Sequence, residues 1–403
     1  MNPALMRRQA PPAMRWAMLR VLTLSTLFPN RARPTLGVFV ERQTLGLAAL
    51  EDVAVEVVSP VGLPPWPLSL HPHYRPRARL PLHEAWKGLS VHRPRFRVLP
   101  RIGDARSAEA MAKALLPSLR TLRERFPVDV IDAEFFWPDG PAAMHLSRAL
   151  GVPFSIKARG SDIHYWAGRP DIAARILAAA RAANGLLAVS AALRADMAAL
   201  GIPEDRIAVH YTGVDTALFG RIGRAEAKAR LGVAGPLIVT AGTLMERKGQ
   251  RLVLAALGDI PDASLILVGE GPDRRRLERI VRAEVLSGRV RILGNRPHAE
   301  LPELMAAADV MVLPSASEGL ANVWVEALAS GTPVVTCDVG GAREAIDRPE
   351  AGRLVARDPA AIAAAVRLLL ADPPTPEKVR AAAERFSWER NARELEAHLR
   401  ALA

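Results

Sequence analysis

Short runs of β-branched and other apolar residues alternate with longer stretches of helical periodicity along most of the chain. In the second half, apolar runs lie at residues 237–242, 264–269, 290–294, 310–314 and 333–336, with helices predicted to begin near Gln250, Asp273, Ala299 and Asn322. This alternation is typical of a parallel sheet with crossover helices. It predicts a doubly wound α/β domain.

The first half shows the same alternation. Strands are predicted near Val21, Val53, Val91, Val130, Phe154, Leu186 and Ile207, and helices near Phe39, Glu109, Ala142, Ile172 and Ala191. Between the two halves, residues 214–236 are polar and punctuated by glycine, as in a linker. The sequence therefore predicts an N-terminal Rossmann-like domain over residues 1–213, a linker over 214–236, and a C-terminal Rossmann-like domain over 237–403. The helices after Pro376 are counted with the C-terminal domain, but they could pack on either one.

Residues 60–106 break this pattern, because they are rich in proline and arginine and contain only two acidic residues, Glu84 and Asp104. A loop this long in a compact domain is usually functional or disordered. The aromatic residues within it, such as Trp66 and Tyr74, and its arginines make it a candidate contact surface.

The net charge of +12 is unevenly distributed, since residues 1–160 hold 23 Lys/Arg and 12 Asp/Glu. A basic N-terminal half favours an anionic partner such as a membrane surface or an acidic acceptor, with nucleic acid as a third option. An arginine-rich composition without any partner explains the charge equally well.

Cysteine usage and hydropathy indicate a cytoplasmic protein. The single cysteine, Cys337, lies in an apolar run and cannot form an internal disulfide. No uninterrupted apolar stretch of 18 residues is present, and the apolar segment at residues 21–28 runs into Pro29 as a first strand would.

The segment PSASEGLANVWVEALASGTPVV, residues 314–335, carries the strongest chemical signal. It is predicted to be a strand end, a small polar loop and a helix, whose free N–H groups and dipole suit phosphate oxygens. The backbone groups concerned belong to Gly319, Leu320, Ala321, Asn322 and Val323. Two carboxylates, Glu318 and Glu326, border this anion site, and carboxylates accept hydrogen bonds from sugar hydroxyls. Asn322 is interpreted as a helix cap, a donor contact or both.

A second candidate anion site is GTLMERKGQ, residues 242–250, where a predicted strand ends at Gly242. Arg247 and Lys248 follow in the loop, and two cations there can neutralise a diphosphate leaving group. A solvated Arg–Lys pair is the alternative for this loop alone, but the neighbouring carboxylate segment favours a site.

Together these segments resemble glycosyltransferase family 4, the retaining enzymes of the GT-B fold. Glu318 and Glu326 match its E-x7-E motif, and several further segments match it in order: VSAALRADMAALGIPEDRIAVHYTGVDTALF (189–219), LILVGEGPDRRRLE (265–278), VRILGNRPHAELPELMAAADVMVLPS (290–315), VGGAREAI and FSWE. RPTLGVFVERQ (33–43) resembles the family's first loop, which nominates Gly37 for the donor phosphates.

The resemblance implies two Rossmann-like domains facing across a cleft, with the acceptor on the N-terminal domain and a nucleotide-sugar donor on the C-terminal one. Arg247 and Lys248 would bind the diphosphate, Glu326 the ribose and Glu318 the transferred sugar. The family is metal-independent, and the chain has no Asp-x-Asp. We therefore expect no metal and no cofactor, with a UDP- or GDP-sugar as co-substrate.

One departure from the family lies in KARGSDIHYW, residues 157–166, where Arg159 stands at a position that many members fill with histidine. Arginine stays protonated and cannot act as a general base. Arg159 is therefore expected to contact phosphate or sugar oxygens, with Asp162 orienting it or meeting the acceptor, and an Arg159–Asp162 salt bridge is the structural alternative.

The predicted function is retaining transfer of a hexose-type unit from a nucleoside-diphosphate-sugar to a hydroxyl acceptor in glycan, exopolysaccharide or glycolipid synthesis. The acceptor would be a glycan or lipid-linked, with the basic half at the cytoplasmic face of a membrane. A nucleotide-sugar epimerase of the same two-domain build is the alternative of another reaction class. Only the net charge supports a third hypothesis, a nucleic-acid-binding module, and the sequence contains no recognised nucleic-acid-binding motif. We therefore expect no nucleic acid as a partner.

Overall fold

The structure is a computed structural model that describes residues 18–99, 104–284 and 286–403. The strands are β1 Leu19–Leu24, β2 Val53–Val58, β3 Val61–Leu63, β4 His83–Trp86, β5 Leu89–His92, β6 Arg95–Arg97, β7 Val130–Ala133, β8 Phe154–Ala158, β9 Gly185–Ala188, β10 Ile207–Val209, β11 Leu237–Ala241, β12 Ser264–Val268, β13 Val290–Gly294, β14 Val310–Leu313, β15 Val334–Cys337 and β16 Gly352–Val355. The α-helices are α1 Val38–Ala48, α2 Arg75–Ala78, α3 Ser107–Arg125, α4 Asp139–Leu150, α5 Pro170–Ala182, α6 Ala191–Ala199, α7 Thr216–Phe219, α8 Arg224–Leu231, α9 Gln250–Ala256, α10 Arg274–Ala283, α11 Leu301–Ala307, α12 Asn322–Ala329, α13 Ala342–Ala345, α14 Pro359–Ala371, α15 Pro376–Ala381 and α16 Trp388–Arg400.

The first sheet has eight strands in the order β10-β9-β8-β7-β1-β2-β5-β4. All its pairs are parallel except β4 with β5. The central strands are apolar because helices cover both faces, as a parallel sheet requires. Val21 pairs with Val55 on one side and Val130 on the other, and both Val21 and Val130 are fully buried.

The second sheet has six parallel strands in the order β13-β12-β11-β14-β15-β16. Its central strand β14 is completely buried. The five strands predicted here all form within a residue or so of their expected bounds, while β16 was not predicted. Two α/β units with parallel sheets confirm the predicted fold class.

The last helix crosses back to the first sheet. Leu395 and Leu399 of α16 pack in one core cluster with Leu19 and Val21 of β1. His398 lies beside Ser155 of β8, with 2.8 Å between the imidazole Nε2 and the hydroxyl Oγ. Of the two packing sites that the sequence left open for the C-terminal helices, α16 takes the first sheet, which buries its apolar face.

Residues 60–106 differ from the predicted loop. One of their elements, β5, is the strand predicted near Val91. The others, α2, β3, β4 and β6, were not predicted, and β3 pairs with β6 in a separate two-stranded sheet. The local pattern concealed these elements because the strands are short and carry arginines, as in Arg95–Arg97. Residues 100–103 lie outside the described part of the chain.

The predicted linker, residues 214–236, is more regular than expected because it contains α7 and α8. Asp215 caps α7 by accepting a hydrogen bond from the Leu218 amide at 2.9 Å. Lys228 of α8 forms an ion pair with Asp309, which ties the segment to the second sheet.

Candidate functional site

The carboxyl ends of the two sheets face each other across a cleft, where open α/β sheets bind ligands. A central pocket of about 270 Å³ holds residues of both sides: Phe39, Arg159, Val189 and Thr212 from the first, and Lys248, Glu318, Leu320, Ala321, Asn322 and Val323 from the second. A pocket of about 580 Å³ shares Phe39, Arg159 and Glu318 with it, and another of about 280 Å³ shares Val323. The three pockets therefore adjoin one another along a path through the cleft.

Glu318 lies in the loop between β14 and α12, at the centre of this path. Its side chain is only 10% exposed and pairs with the Lys248 ammonium group, while Arg247 Nη1 lies 4.0 Å from Glu318 Oε2. Arg247 also donates to the Ser317 carbonyl. The structure thus brings together the carboxylate loop and the cation loop, which are 70 residues apart in the sequence.

The cation loop turns tightly after β11. A short 3-10 turn, Glu246–Lys248, ends at Gly249, whose φ of +76° favours glycine. A Cβ atom at Gly249 would lie 2.5 Å from the Pro314 carbonyl oxygen. Gly249 therefore lets the cation loop lie directly against the start of the carboxylate loop.

Gly319 owes its position to packing across the cleft. A Cβ atom there would lie 2.6 Å from the Arg159 carbonyl oxygen, so the main chain of the first side lies directly against Gly319. The Gly319 carbonyl accepts hydrogen bonds from the Gly341 amide at 2.6 Å and the Ser190 hydroxyl at 3.3 Å. These contacts fix the loop that carries Glu318.

The N-terminus of α12 opens into the central pocket through Leu320 to Val323. Ala321 occupies the N-cap, and within the described residues no side chain caps this helix. Asn322 is therefore the first helical residue rather than the cap. The uncapped amides keep the helix end available to an anion.

Glu326 lies one turn into α12 and contacts a residue that the sequence analysis did not single out. His298 Nε2 lies 2.7 Å from Glu326 Oε1, and Arg42 Nη2 of α1 lies 3.0 Å from His298 Nδ1. Because the guanidinium can only donate, Nδ1 accepts and Nε2 carries the proton toward the carboxylate. His298 lies in the GNRPHAE segment, residues 294–300, just after the end of β13. This position after a strand was the only feature of the sequence that could have indicated a role for it.

The pocket beside His298 is lined by Gly242 at the end of β11 and by Thr35 and Val38, which flank Gly37. Gly37 has φ +65°, and a Cβ atom there would lie 2.2 Å from the Leu27 carbonyl oxygen. This glycine therefore allows the turn that brings the start of α1 into the cleft.

Arg159 and Asp162 do not form the salt bridge considered as an alternative. Asp162 is fully buried and accepts main-chain hydrogen bonds from Arg159, Gly160 and Phe136 at 2.8–3.0 Å. Burial raises the pKa of Asp162, although these hydrogen bonds oppose the shift. The prediction that Asp162 meets the acceptor is corrected, because its carboxylate is sealed beneath the loop.

The Arg159 side chain lines the central pocket, and Glu134 fixes its guanidinium group from the side away from the pocket. It pairs with the Glu134 carboxylate, its Nε donates to the Glu134 carbonyl at 3.0 Å, and it lies 4.8 Å from the centre of the Phe39 ring. Its side chain is 5% exposed. Arg159 thus presents one edge to the cleft, at the boundary between two of the three pockets.

Behind Arg159 lies a buried polar cluster: Gln43, Asp132, Glu134, Lys157 and His210. Burial would raise the pKa of Glu134, but the charges of Arg159 and Lys157 lower it on balance. Burial, and then Glu134, raise the pKa of Asp132 well above its ordinary value. Sequence alone did not indicate this cluster, because its members come from α1 and from three separate strands or the residues just after them.

Within the residues that the structure describes, no group of three His, Cys, Asp or Glu side chains is placed to hold a metal ion. Over the same residues, no helix is both long and apolar enough to cross a bilayer.

Comparison with known proteins gives the class. The model of glycosyl transferases group 1 matches residues 224–386, and that of Glycosyltransferase Family 4 matches residues 36–218. The putative teichuronic acid biosynthesis glycosyltransferase TuaC of Bacillus subtilis is 30% identical over 336 residues, covering 80% of this chain and 82% of the relative. The 2-deoxystreptamine glucosyltransferase of Streptomyces kanamyceticus is 30% identical over 295 residues, covering 66% and 74%.

Solved structures share the whole architecture. Sucrose-phosphate synthase from Thermosynechococcus elongatus superposes with a TM-score of 0.78 at 22% identity, covering 95% of this chain and 99% of that one. Anabaena HepE, crystallised in complex with UDP, gives 0.72 at 21% identity, covering 96% and 100%.

The chain belongs to the glycosyl transferases group 1 family, of the family 4 type with the GT-B fold. It is a glycosyltransferase, and the epimerase alternative is not favoured.

Proposed function

We propose that the protein transfers a sugar from a UDP- or GDP-sugar to a hydroxyl acceptor, with retention of the anomeric configuration and without a metal. The observation that carries this proposal is the row of three adjoining pockets, with the Lys248–Glu318 pair at its centre and an uncapped helix N-terminus beside it. HepE, which shares the fold, was crystallised with UDP and with UDP-glucose, and this supports a nucleotide-sugar donor.

The donor would lie along the second sheet, on residues 237–403. The pocket beside Gly242 and His298 would take the nucleoside, with Glu326 accepting from ribose hydroxyls. The diphosphate would lie between Arg247, Lys248 and the α12 amides. Glu318 would accept from hydroxyls of the transferred sugar, so donor binding would separate it from Lys248.

In the reaction, the bond from the anomeric carbon to the phosphate oxygen breaks while the acceptor oxygen bonds to that carbon on the same face. The acceptor proton passes to the departing phosphate oxygen. Negative charge builds on the diphosphate during this step, so Lys248 and Arg247 stabilise the transition state more than the ground state. Arg159, on the acceptor side of Glu318, would contact oxygens of the sugar or phosphate.

Ligand-induced stabilisation gives the first test. A donor that binds the folded state raises the melting temperature, so UDP, GDP, UDP-glucose and GDP-mannose should separate into binders and non-binders. NMR of the product formed from the binding donor should then show the donor's own anomeric configuration. No stabilisation by any nucleotide, or an inverted product, would contradict the proposal.

We also propose that residues 1–213 bind the acceptor at the cytoplasmic face of an anionic membrane. A surface that we call the apolar–basic patch exposes Trp66, Leu68, Leu70 and Leu82 at 78%, 55%, 63% and 65%. Arg75 and Arg79 are exposed between them, and residues 57–83 contain no acidic residue. Exposed apolar side chains flanked by arginines match the boundary between acyl chains and anionic headgroups.

Flotation with vesicles of phosphatidylglycerol and phosphatidylcholine tests the patch. Wild type should float at low salt, and the double variant Leu68→Ala, Leu70→Ala should stay at the bottom. Leu368→Ala removes an equally exposed leucine (62%) from α14 and should float like wild type. Equal flotation of both variants would remove the patch from the proposal.

A further inference from the structure

A fourth pocket lies on the first sheet, beyond the path described above. It has a volume of about 230 Å³ and sits at the carboxyl ends of β1, β2 and β7, where the loops after these strands supply Thr26, Ser59 and Pro138. Neighbouring strand ends in a parallel sheet form the usual ligand edge. We call it the arginine pocket, after Arg33 and Arg77 in its wall.

Arg33 and Arg77 have no counter-charge. Among residues 18–99, 104–284 and 286–403, neither side chain has a hydrogen bond or an ion pair, and residues 1–17, 100–103 and 285 contain no Asp or Glu. Arg93, which lies nearby, is paired: it donates to the Glu84 carboxylate at 2.6 Å and to the Pro29 carbonyl at 2.7 Å.

Arg77 is held in place although it is unpaired. Its guanidinium carbon lies 4.9 Å from the centre of the Tyr74 ring, and its Nε atom is buried without a hydrogen-bond partner. Burial, and then the neighbouring charge of Arg33, lower the pKa of Arg77. A buried donor beside a like charge is costly unless a ligand satisfies it, and an anion would relieve both penalties.

Most of the remaining wall is apolar, with Asn30, Thr26 and Ser59 as its polar residues. Val61, Leu80 and Phe96 line the pocket and are buried, and Leu36 and Val98 complete it. A pocket with two cations and an apolar lining fits an amphiphilic anion better than a fully hydrated one. Thr26 and Ser59 add polar atoms at the strand ends.

The arginine pocket adjoins the cleft. Consecutive residues line the two spaces, since Thr26 faces the arginine pocket and Leu27 faces the 580 Å³ pocket that contains Glu318. The loop after β7 does the same through Pro138 and Phe135. The loops after β1 and β7 therefore form a wall that the two pockets share.

We propose that Arg33 and Arg77 form an anion-binding subsite for the phosphate ester of an apolar alcohol, which is the anionic end of the acceptor. Its role as an acceptor subsite rests on the proposed sugar transfer, but its binding of an alkyl phosphate does not. The phosphate takes bidentate hydrogen bonds from the two guanidinium groups, and the alkyl arm lies against Val61, Leu80 and Phe96.

Isothermal titration calorimetry with n-octyl phosphate tests the subsite directly. Wild type should bind it, and the double variant Arg33→Ala, Arg77→Ala should bind at least tenfold more weakly. Arg33 is exposed, so Arg33→Ala alone keeps the fold and should already weaken binding severalfold. Arg79→Ala removes an exposed arginine that lies outside the pocket and should bind within twofold of wild type.

Two further ligands separate the sources of affinity. Inorganic phosphate should bind at least tenfold more weakly than n-octyl phosphate, and 1-octanol should show no binding. The subsite is overturned if wild type and the double variant bind n-octyl phosphate equally, if Arg79→Ala loses as much as the double variant, or if inorganic phosphate binds equally well. UDP binding, measured in parallel, should be the same in every variant, and its absence in wild type would count against the proposed donor and not against the subsite.

Discussion

The two sides of the cleft place their charges differently. On the second sheet, Glu318 and Lys248 stand on loops beyond the strand ends, with side chains 10% and 14% exposed, and they face a pocket. On the first sheet, Glu134 and Lys157 belong to the strands and the turns next to them, and both are completely buried.

This difference separates two uses of charge. A charge on a loop facing a pocket can exchange its protein partner for a ligand, because it is already in contact with solvent. A fully buried charge must keep its partner, since leaving one charge uncompensated in the interior costs several kcal/mol. We therefore expect substitutions of Glu318 and Lys248 to change turnover and substitutions of buried charges such as Glu134 to change stability.

The largest effect is expected for Glu134→Gln. This change leaves Arg159 and Lys157 without their shared carboxylate, and it should lower the free energy of unfolding by about 3–5 kcal/mol, measured by urea denaturation at pH 7. Because the folded pKa of Glu134 is below the unfolded value, this stabilisation is present above pH 4.5 and is lost as the pH falls through the folded pKa.

Glu389→Gln serves as the control, since Glu389 pairs with Arg393 on the surface at 74% exposure. This substitution should lower the free energy of unfolding by less than about 1 kcal/mol. If the two variants lost equal free energy of unfolding, the distinction between fully buried charges and charges in contact with solvent would be wrong.

Lys248→Ala tests the other side of the cleft. Removing a cation that stabilises the leaving diphosphate should lower kcat by about 10²–10³-fold. The free energy of unfolding should change by less than about 1 kcal/mol, and Glu318→Gln should follow the same pattern. Arg275→Ala, on the exposed face of α10, should leave kcat unchanged. Wild-type turnover in Lys248→Ala would remove it from the site.

The stability of the protein should depend on pH through His398 of α16, which lies where this helix packs on the first sheet. Burial, and then Lys157, lower the pKa of His398 to about 4. Between that value and the unfolded value of 6.5, the unfolded chain binds a proton that the folded protein does not. Stability should therefore fall as the pH falls from 6.5 to 4.

His398→Gln isolates this group. The stability advantage of wild type over the variant should shrink by about 3 kcal/mol between pH 7.5 and pH 4, as measured by urea denaturation at each pH. His164→Gln, at an exposed histidine that pairs with Asp196 near the cleft, is the control. Parallel curves for wild type and His398→Gln would show that His398 does not couple α16 to pH.

The sequence predicted what depends on local pattern. The five strands of the second sheet and the Glu318–Glu326 spacing are contained in short segments, and glycine positions marked the turns. It could not predict that Glu134 pairs with Arg159, that Asp162 is sealed by main-chain amides, or that α16 crosses to the other sheet. These depend on contacts between residues far apart in the chain, and neither charge nor periodicity encodes which distant partner is met.

Substitution of His298 has the smallest expected effect, and it tests the pocket-facing charges of the second sheet most directly. Its Nε2–H donates to Glu326 while Arg42 holds its Nδ1, so it positions the carboxylate that is proposed to bind ribose. His298→Ala should raise the donor KM about tenfold, the equivalent of one hydrogen bond to a charged group, and should change kcat less than twofold. Glu326→Gln should raise KM by a similar factor, and the double variant should be no worse than either single variant, because both act through the same contact. Additive effects would mean that His298 acts independently of Glu326. A fall in kcat instead of a rise in KM would mean that His298 and Glu326 act in the reaction step and not in donor binding.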